Sequence, residues 1–448
     1  MAKERHNDLT EGTIWKQILF FFFPILIGTF FQQLYNTVDS VVVGQFAGKE
    51  ALSSVGGSSA QIINLLVGFF TALTGGCSVI LSQFFGAKEE RALNDALHTS
   101  YAMSILGGIL LGIIGIVCAP MMLRMMNTPA ELISDSVLYI RVYFFGVVFM
   151  FVYNMGSSVL RAIGDSRRPL YYLIVCCLIN IVLDLLFVAA LGMGVLGVAL
   201  ATLIAQVISA AMVTLHLMKN TPELKLSLNQ IRFVPSMTRR MLYIGLPNGV
   251  QSMMYSVSNI FVQAAINGFG VNTVAAWTSL SKLDAVFWMV NGAMGTACIT
   301  FVGQNFGAHK KERIQKGARV CLGMEIIFSI LLSAAIIVFG RPLFSIFTGD
   351  DEVIALGIRM IAVISPFYGL FSFIEIPSGT LRAEGHVLVP TIITLLGVCV
   401  LRIFWTSLPL IRASIEGICM CYPVTWIAAG VGMVVYYLYK QKRVLERM

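Results

Sequence analysis

The chain has 448 residues, 57% of them hydrophobic and only 12% charged, with a mean hydropathy of +0.82 and a formal net charge of +8. A soluble globular domain carries roughly twice that share of charge, so composition excludes one and points to a polytopic helical membrane protein. The positive balance does not call for nucleic acid, because it is spent in short basic loops between apolar runs.

Apolar runs long enough to cross a bilayer core of about 30 Å recur from end to end. Read between polar punctuation, they give spans over 14–43, 51–82, 94–119, 133–160, 168–190 and 195–218. Six more follow over 239–267, 272–303, 315–340, 353–380, 387–410 and 414–439. The first run is too long for the core of a cleaved leader and is expected to stay as a span. The longest polar interval, Lys219 to Arg240 with Pro222 and Pro235, falls at the midpoint. The expected organisation is an N-terminal six-helix lobe (1–218), a cytoplasmic linker (219–238) and a C-terminal six-helix lobe (239–448).

Lysine and arginine set the orientation. They crowd the N-terminus (Lys3, Arg5, Lys16), the loop after span two (Lys88, Arg91) and the loop after span four (Arg161, Arg167, Arg168). They crowd the central interval, the loop after span eight (Lys310, Lys311, Arg313) and the tail (Lys440, Lys442, Arg443, Arg447) as well. Alternate loops such as 192–195 have none, so both termini are expected in the cytoplasm. Gly192, Gly194 and Gly197 spell GxGxxG, but without the strand and βαβ context that a dinucleotide site needs they read as a turn. Nine scattered cysteines fit neither a disulfide framework nor a metal site.

The two halves repeat each other. SQFFGAKEER at 82–91 answers GQNFGAHKKE at 303–312, and LRAIGDSRRP at 160–169 answers LRAEGHVLVP at 381–390, both at a shift of 221. Pro24 and Pro247 match at a shift of 223. Six spans per repeat return the chain to its starting side, so the halves share one orientation, an arrangement typical of transporters that alternate access.

Ionisable residues inside the spans are then the candidate site. Asp39 is the lone carboxylate of span one; such a group costs on the order of 3 kcal/mol at a helix centre and should face the protein interior. Asn180 and Asp184, four apart, share a face of span five, and Thr202 has the side-chain oxygen nearest the middle of span six. Together they form an oxygen-rich pocket that suits Na⁺ or a shared proton, with no other metal implied. At the same offsets the second half has Val262, Leu401 and Trp405, so the acidic pocket exists once. Gln32 and Tyr35 share the Asp39 face of span one, and Asn154 and Ser157 lie in the inner part of span four. Among 22 methionines and 30 phenylalanines, such a wall can hold a flat, apolar cation. Glu375 and Lys282 are candidate polar residues of the C-terminal lobe; Glu325 reads as an interface or packing residue.

FPILIGTFFQQLYNTVDSVVVGQFAGKEALSSVG, the duplicated QFFGA and QNFGA segments, the LRA motifs and GLPNGVQ resemble the multidrug and toxin extrusion (MATE) family over essentially the whole chain. The resemblance implies twelve helices in two pseudo-symmetric six-helix bundles around a V-shaped cavity. It implies export of a small organic cation or drug in exchange for H⁺ or Na⁺, without a cofactor, in the inner membrane of a prokaryote; nothing in the sequence requires more than a monomer. It places Asp39, Asn180, Asp184 and Thr202 at the cation-coupling positions of the DinF-like branch, and Gln32, Tyr35, Asn154 and Ser157 along the substrate cavity. Pro24 would bend helix one. The chain departs from the NorM-like pattern, having Tyr255 where that branch carries a glutamate. The alternative within the wider superfamily is a flippase for lipid-linked sugars, which needs a basic cavity; in the N-terminal spans only Arg141 approaches one. No nucleophile–base or metal constellation supports an enzyme.

Overall fold

A computed structural model describes residues 8–126, 128–219 and 224–447, with side chains to 443. Lys3, Arg5, Pro222 and the Arg447 side chain lie outside them. Among the described residues every regular element is helical. We number the long helices α1 (Ile14–Gly56), α2 (Ser58–Ala87), α3 (Glu90–Met125), α4 (Ala130–Ala162), α5 (Arg167–Ala190) and α6 (Gly194–Lys219). The second set is α7 (Pro235–Asn267), α8 (Val271–Gly307), α9 (Lys311–Val338), α10 (Asp351–Ala383), α11 (Leu388–Ser407) and α12 (Cys421–Arg447), the last preceded by one turn at Ile415–Cys419.

Eleven of these regions are long and apolar enough to cross a membrane. Helix α7 is not among them despite its 33 residues, because Asn248, Gln251, Ser252, Ser256, Asn259 and Gln263 dilute its apolar stretch. The expected break after Gly44 is also corrected. The helix runs on through a π-helical turn, Val43–Ala47, and ends at Gly56; Gly57 separates it from α2. A π turn absorbs an extra residue without ending the backbone hydrogen bonding, so the polar run at 44–50 does not stop the helix.

The chain divides into two compact units. Of the described residues, one holds Asp8 and 23–249, and the other 9–22 with 250–447. The crossings at 22/23 and 249/250 each adjoin a matched proline, Pro24 in α1 and Pro247 in α7. Each proline removes one i→i−4 hydrogen bond from its helix, which makes it a natural place for the chain to change partners.

The duplication reaches down to the backbone. Among the described residues two non-glycine residues have positive φ, Lys88 (57°) and His309 (55°), and they stand 221 apart. The Lys88 and His309 amides donate to Phe85 and Phe306 oxygens at 3.1 Å, closing helix ends of one design. Gly164 (φ 90°) and Gly385 (φ 87°) close α4 and α10 in the same way, their amides donating to Arg161 and Arg382 oxygens at 2.9 Å. Glycine is required there because a side chain strains the left-handed region.

In the first unit, the described part of the central linker is tied to α3. Ser227 N donates to His98 Nε2 at 3.0 Å, so Nδ1 carries the proton that faces Asn94 O at 2.8 Å. Leu224 and Leu226 are buried, and Arg232 pairs with Asp95 at 3.0 Å. In the second unit the core is aromatic: Phe287 stacks on Tyr368 at 4.2 Å, with Phe371, Tyr422 and Trp426 packed around them. Its N-terminal strand of chain is held by the QNFG motif, Gln304 Oε1 accepting from Leu9 N at 3.1 Å and Asn305 Nδ2 donating to Leu9 O at 3.1 Å.

Candidate functional site

In the first unit the candidate cation residues are all interior. Asp39 on α1 is 7% exposed, Asn180 and Asp184 on α5 are fully buried, and Thr202 on α6 is 3% exposed. Asp39 lies beside both Asp184 and Asn180, as the i,i+4 spacing on α5 requires. Asp39 Oδ1, both carboxylate oxygens of Asp184, both polar atoms of Asn180 and the Thr202 hydroxyl are buried and make no hydrogen bond. Buried polar atoms in folded proteins are nearly always paired, and here six of them fall on four residues. No lysine, arginine or histidine pairs with either carboxylate among the described residues. Acceptors dominate this set, which is the donor chemistry a proton or a hard monovalent cation needs.

The backbone around the site is irregular. The π turn of α1 begins four residues after Asp39, and that of α5 covers Leu185–Ala190, directly after Asp184. Such turns concentrate at functional positions because they re-aim neighbouring side chains.

The candidate substrate residues are less uniform. Tyr35 is half-buried and faces Asp39. Ser157 is buried against Tyr153, and Asn154 is half-buried. Gln32 is exposed, so it stands apart from the buried set. Two residues escaped the sequence reading: Tyr139 and Tyr143 of α4 both face Tyr35, and their rings lie 6.2 Å apart. Their spacing of four, on one face of a span, was the available signal.

The second unit differs. Glu375 is ion-paired with Arg382 at 3.2 Å, and Lys282 is exposed. Asp284 accepts the Tyr368 hydroxyl. Glu325 is fully buried, accepting from Asn291 Nδ2 at 2.5 Å. Arg402, not singled out from the sequence, is buried on α11 and hydrogen-bonded to Asn259. Arg141 is exposed and bonds Ile116 O.

The family profile MatE matches this chain twice, at residues 24–186 and 247–407, once in each half. The chain belongs to the MATE family. Its members are transporters, so this MATE protein is a multi-pass membrane transporter and not an enzyme. It is 29% identical to the probable multidrug resistance protein YoeA of Bacillus subtilis, over 87% of this chain and 85% of that one. It is 27% identical to the probable multidrug resistance protein YpnP of the same organism over 98% of both. The fold matches a solved outward-facing conformation of a multidrug resistance MATE family transporter, with a TM-score of 0.91 and 21% identity over the full length of both chains.

Proposed function

We propose that this MATE protein exports organic cations and similar drugs in antiport with H⁺ or Na⁺. The curated relatives YoeA and YpnP, named as probable multidrug resistance proteins, support the export of drugs. The observation that carries the coupling is the pair of buried carboxylates, Asp39 and Asp184, side by side without a basic partner. Two such groups repel when both are charged, and binding one proton or one monovalent cation relieves that repulsion. A cationic substrate reaching the Tyr35, Tyr139 and Tyr143 wall competes for the same negative charge. Substrate and coupling ion therefore weaken each other's binding, reciprocally. Asn180 and Thr202 contribute neutral oxygens to the ion. Asn154 and Ser157 line the approach, Gln32 belongs to its open end, and Pro24 lets α1 change its path. The membrane is the bacterial inner membrane, with both termini in the cytoplasm, and the working unit is a monomer.

Ethidium efflux from proteoliposomes under separately imposed Na⁺ and H⁺ gradients tests this. Wild type is expected to respond to one gradient and Asp39→Asn to neither. If neither gradient moves ethidium in wild type, the cation-export reading is wrong, and lipid-linked substrates are the next to try.

A further inference from the structure

Arg402 in α11 is 2% exposed. A guanidinium keeps its proton at any physiological pH, so unlike a carboxyl group it cannot become neutral on burial. A buried cation needs partners, and Arg402 has few. Its Nη1 donates to Asn259 Oδ1 at 3.0 Å, and its guanidinium carbon lies 4.3 Å from the centre of the Tyr422 ring. Nε is buried and donates to nothing. Among the described residues no carboxylate lies within ion-pair distance of it. Asp284, which also faces Tyr422, accepts the Tyr368 hydroxyl instead.

The position within the repeat sharpens the point. At the shift of 221, Asn180 answers to Leu401, so Arg402 stands one residue beyond the counterpart of a candidate cation ligand. Asn259 is on α7, the counterpart of α1, three residues before the counterpart of Asp39. A π turn, Leu395–Val400, ends two residues before Arg402, much as one begins directly after Asp184. Where the first unit gathers uncompensated carboxylates from its first and fifth helices, the second joins an amide and an uncompensated guanidinium from the matching pair.

We propose that the second unit holds an anion-binding site made by Arg402 with Asn259 and Tyr422, and that it takes the carboxylate of a zwitterionic, amphiphilic substrate. The proposal rests on the export reading above and adds to its substrates molecules that carry a carboxylate as well as a cationic nitrogen. A carboxylate accepts the planar fork of Nε–H and Nη–H donors in paired, charge-assisted hydrogen bonds. The Tyr422 face holds the guanidinium plane in place for it. A residue that merely tied α7 to α11 through Asn259 would not distinguish a carboxylate from its ester.

That difference is the test. Norfloxacin has a carboxylate and a basic piperazine; its methyl ester keeps the rings and the amine but not the anion. Binding of each to the purified full-length protein in detergent is measured by titration calorimetry, with ethidium as a third probe. Wild type should bind the acid about tenfold more tightly than the ester, the size of one charge-assisted pair. Arg402→Gln should bring the two within about twofold, and Arg402→Lys, which keeps the charge and loses the fork, should fall between. Equal binding of acid and ester by wild type, no binding of either, or a preference that survives Arg402→Gln overturns the proposal. Should Arg402→Gln fail to fold, the wild-type ratio and the lysine variant still decide. Absence of ethidium binding and efflux would instead count against the export reading, leaving the acid–ester ratio to judge Arg402.

Discussion

Asn291 Nδ2 donates to Glu325 Oε1 at 2.5 Å, joining α8 to α9 with Glu325 fully buried. The other carboxyl oxygen, Oε2, has no hydrogen-bond partner. Glu375, Cys298 and Cys321 are titratable groups close to it. A carboxamide can accept the same bond, so Glu325→Gln should leave the melting temperature in detergent nearly unchanged. Glu325→Ala strands the Asn291 donor and opens a void, and should destabilise by about 2 kcal/mol or more. If glutamine proves as damaging as alanine, the carboxyl group is needed for its charge and not for this bond.

Glu384 lies just past the end of α10, and its Oε1 accepts from Gln441 of α12. Burial pushes its carboxyl up to about 7, opposed by the Gln441 bond and by Lys440. The folded value lies above that of an unfolded glutamate, so the folded protein holds the proton more tightly. The resulting stability is fully present below about pH 4.5 and is lost as pH rises through about 7. Melting temperature should therefore decline across this window, and Glu384→Gln should flatten the decline. A wild-type profile already flat between pH 5 and 8 would contradict this.

Helices α2 and α7 approach at a pair of glycines within the first unit. A Cβ on Gly76 would sit 2.4 Å from Met241 O, and one on Gly245 would sit 2.3 Å from Leu73 O. Both obstacles are backbone, which cannot swing aside. Close approach through small residues is how helices pack in lipid, where apolar burial between them gains little. Gly76→Ala and Gly245→Ala should each lower stability by about 1–3 kcal/mol, read as melting temperature and as yield of monodisperse protein. Gly292, with open space around its Cβ position, is the control, and its alanine variant should behave as wild type.

Much of this architecture was legible in the sequence, for definite reasons. Lipid forces every backbone group into a helix, so apolar length located the spans, and the 221-residue shift anticipated matched helix ends at Lys88 and His309. The buried carboxylates stood out because a charge in an apolar run is costly and has few purposes. Where the reading failed, packing decided. Nothing local distinguishes a helix that ends at Gly44 from one that passes through a π turn to Gly56. The crossing of α1 between units at Phe22 depends on partners distant in sequence. Tyr139 and Tyr143 were hidden among many aromatics, and Arg402 stood near a helix end, where a basic residue ordinarily reads as an anchor.

Under the proposed antiport, Asp39 and Asp184, neighbours in the first unit, load the coupling ion as one site, and that governs how their variants should combine. Asp39→Asn or Asp184→Asn alone removes one of the two carboxylates whose mutual repulsion drives the loading of a proton or cation. Each single variant should lower gradient-driven ethidium efflux by at least about tenfold. Independent sites would multiply these losses, whereas residues of one site are strongly non-additive. The double variant should therefore transport no worse than the weaker single one. Initial efflux rates from proteoliposomes of equal protein content supply the cycle. A double loss equal to the product of the single losses would mean that the two carboxylates, though side by side, load their ions separately.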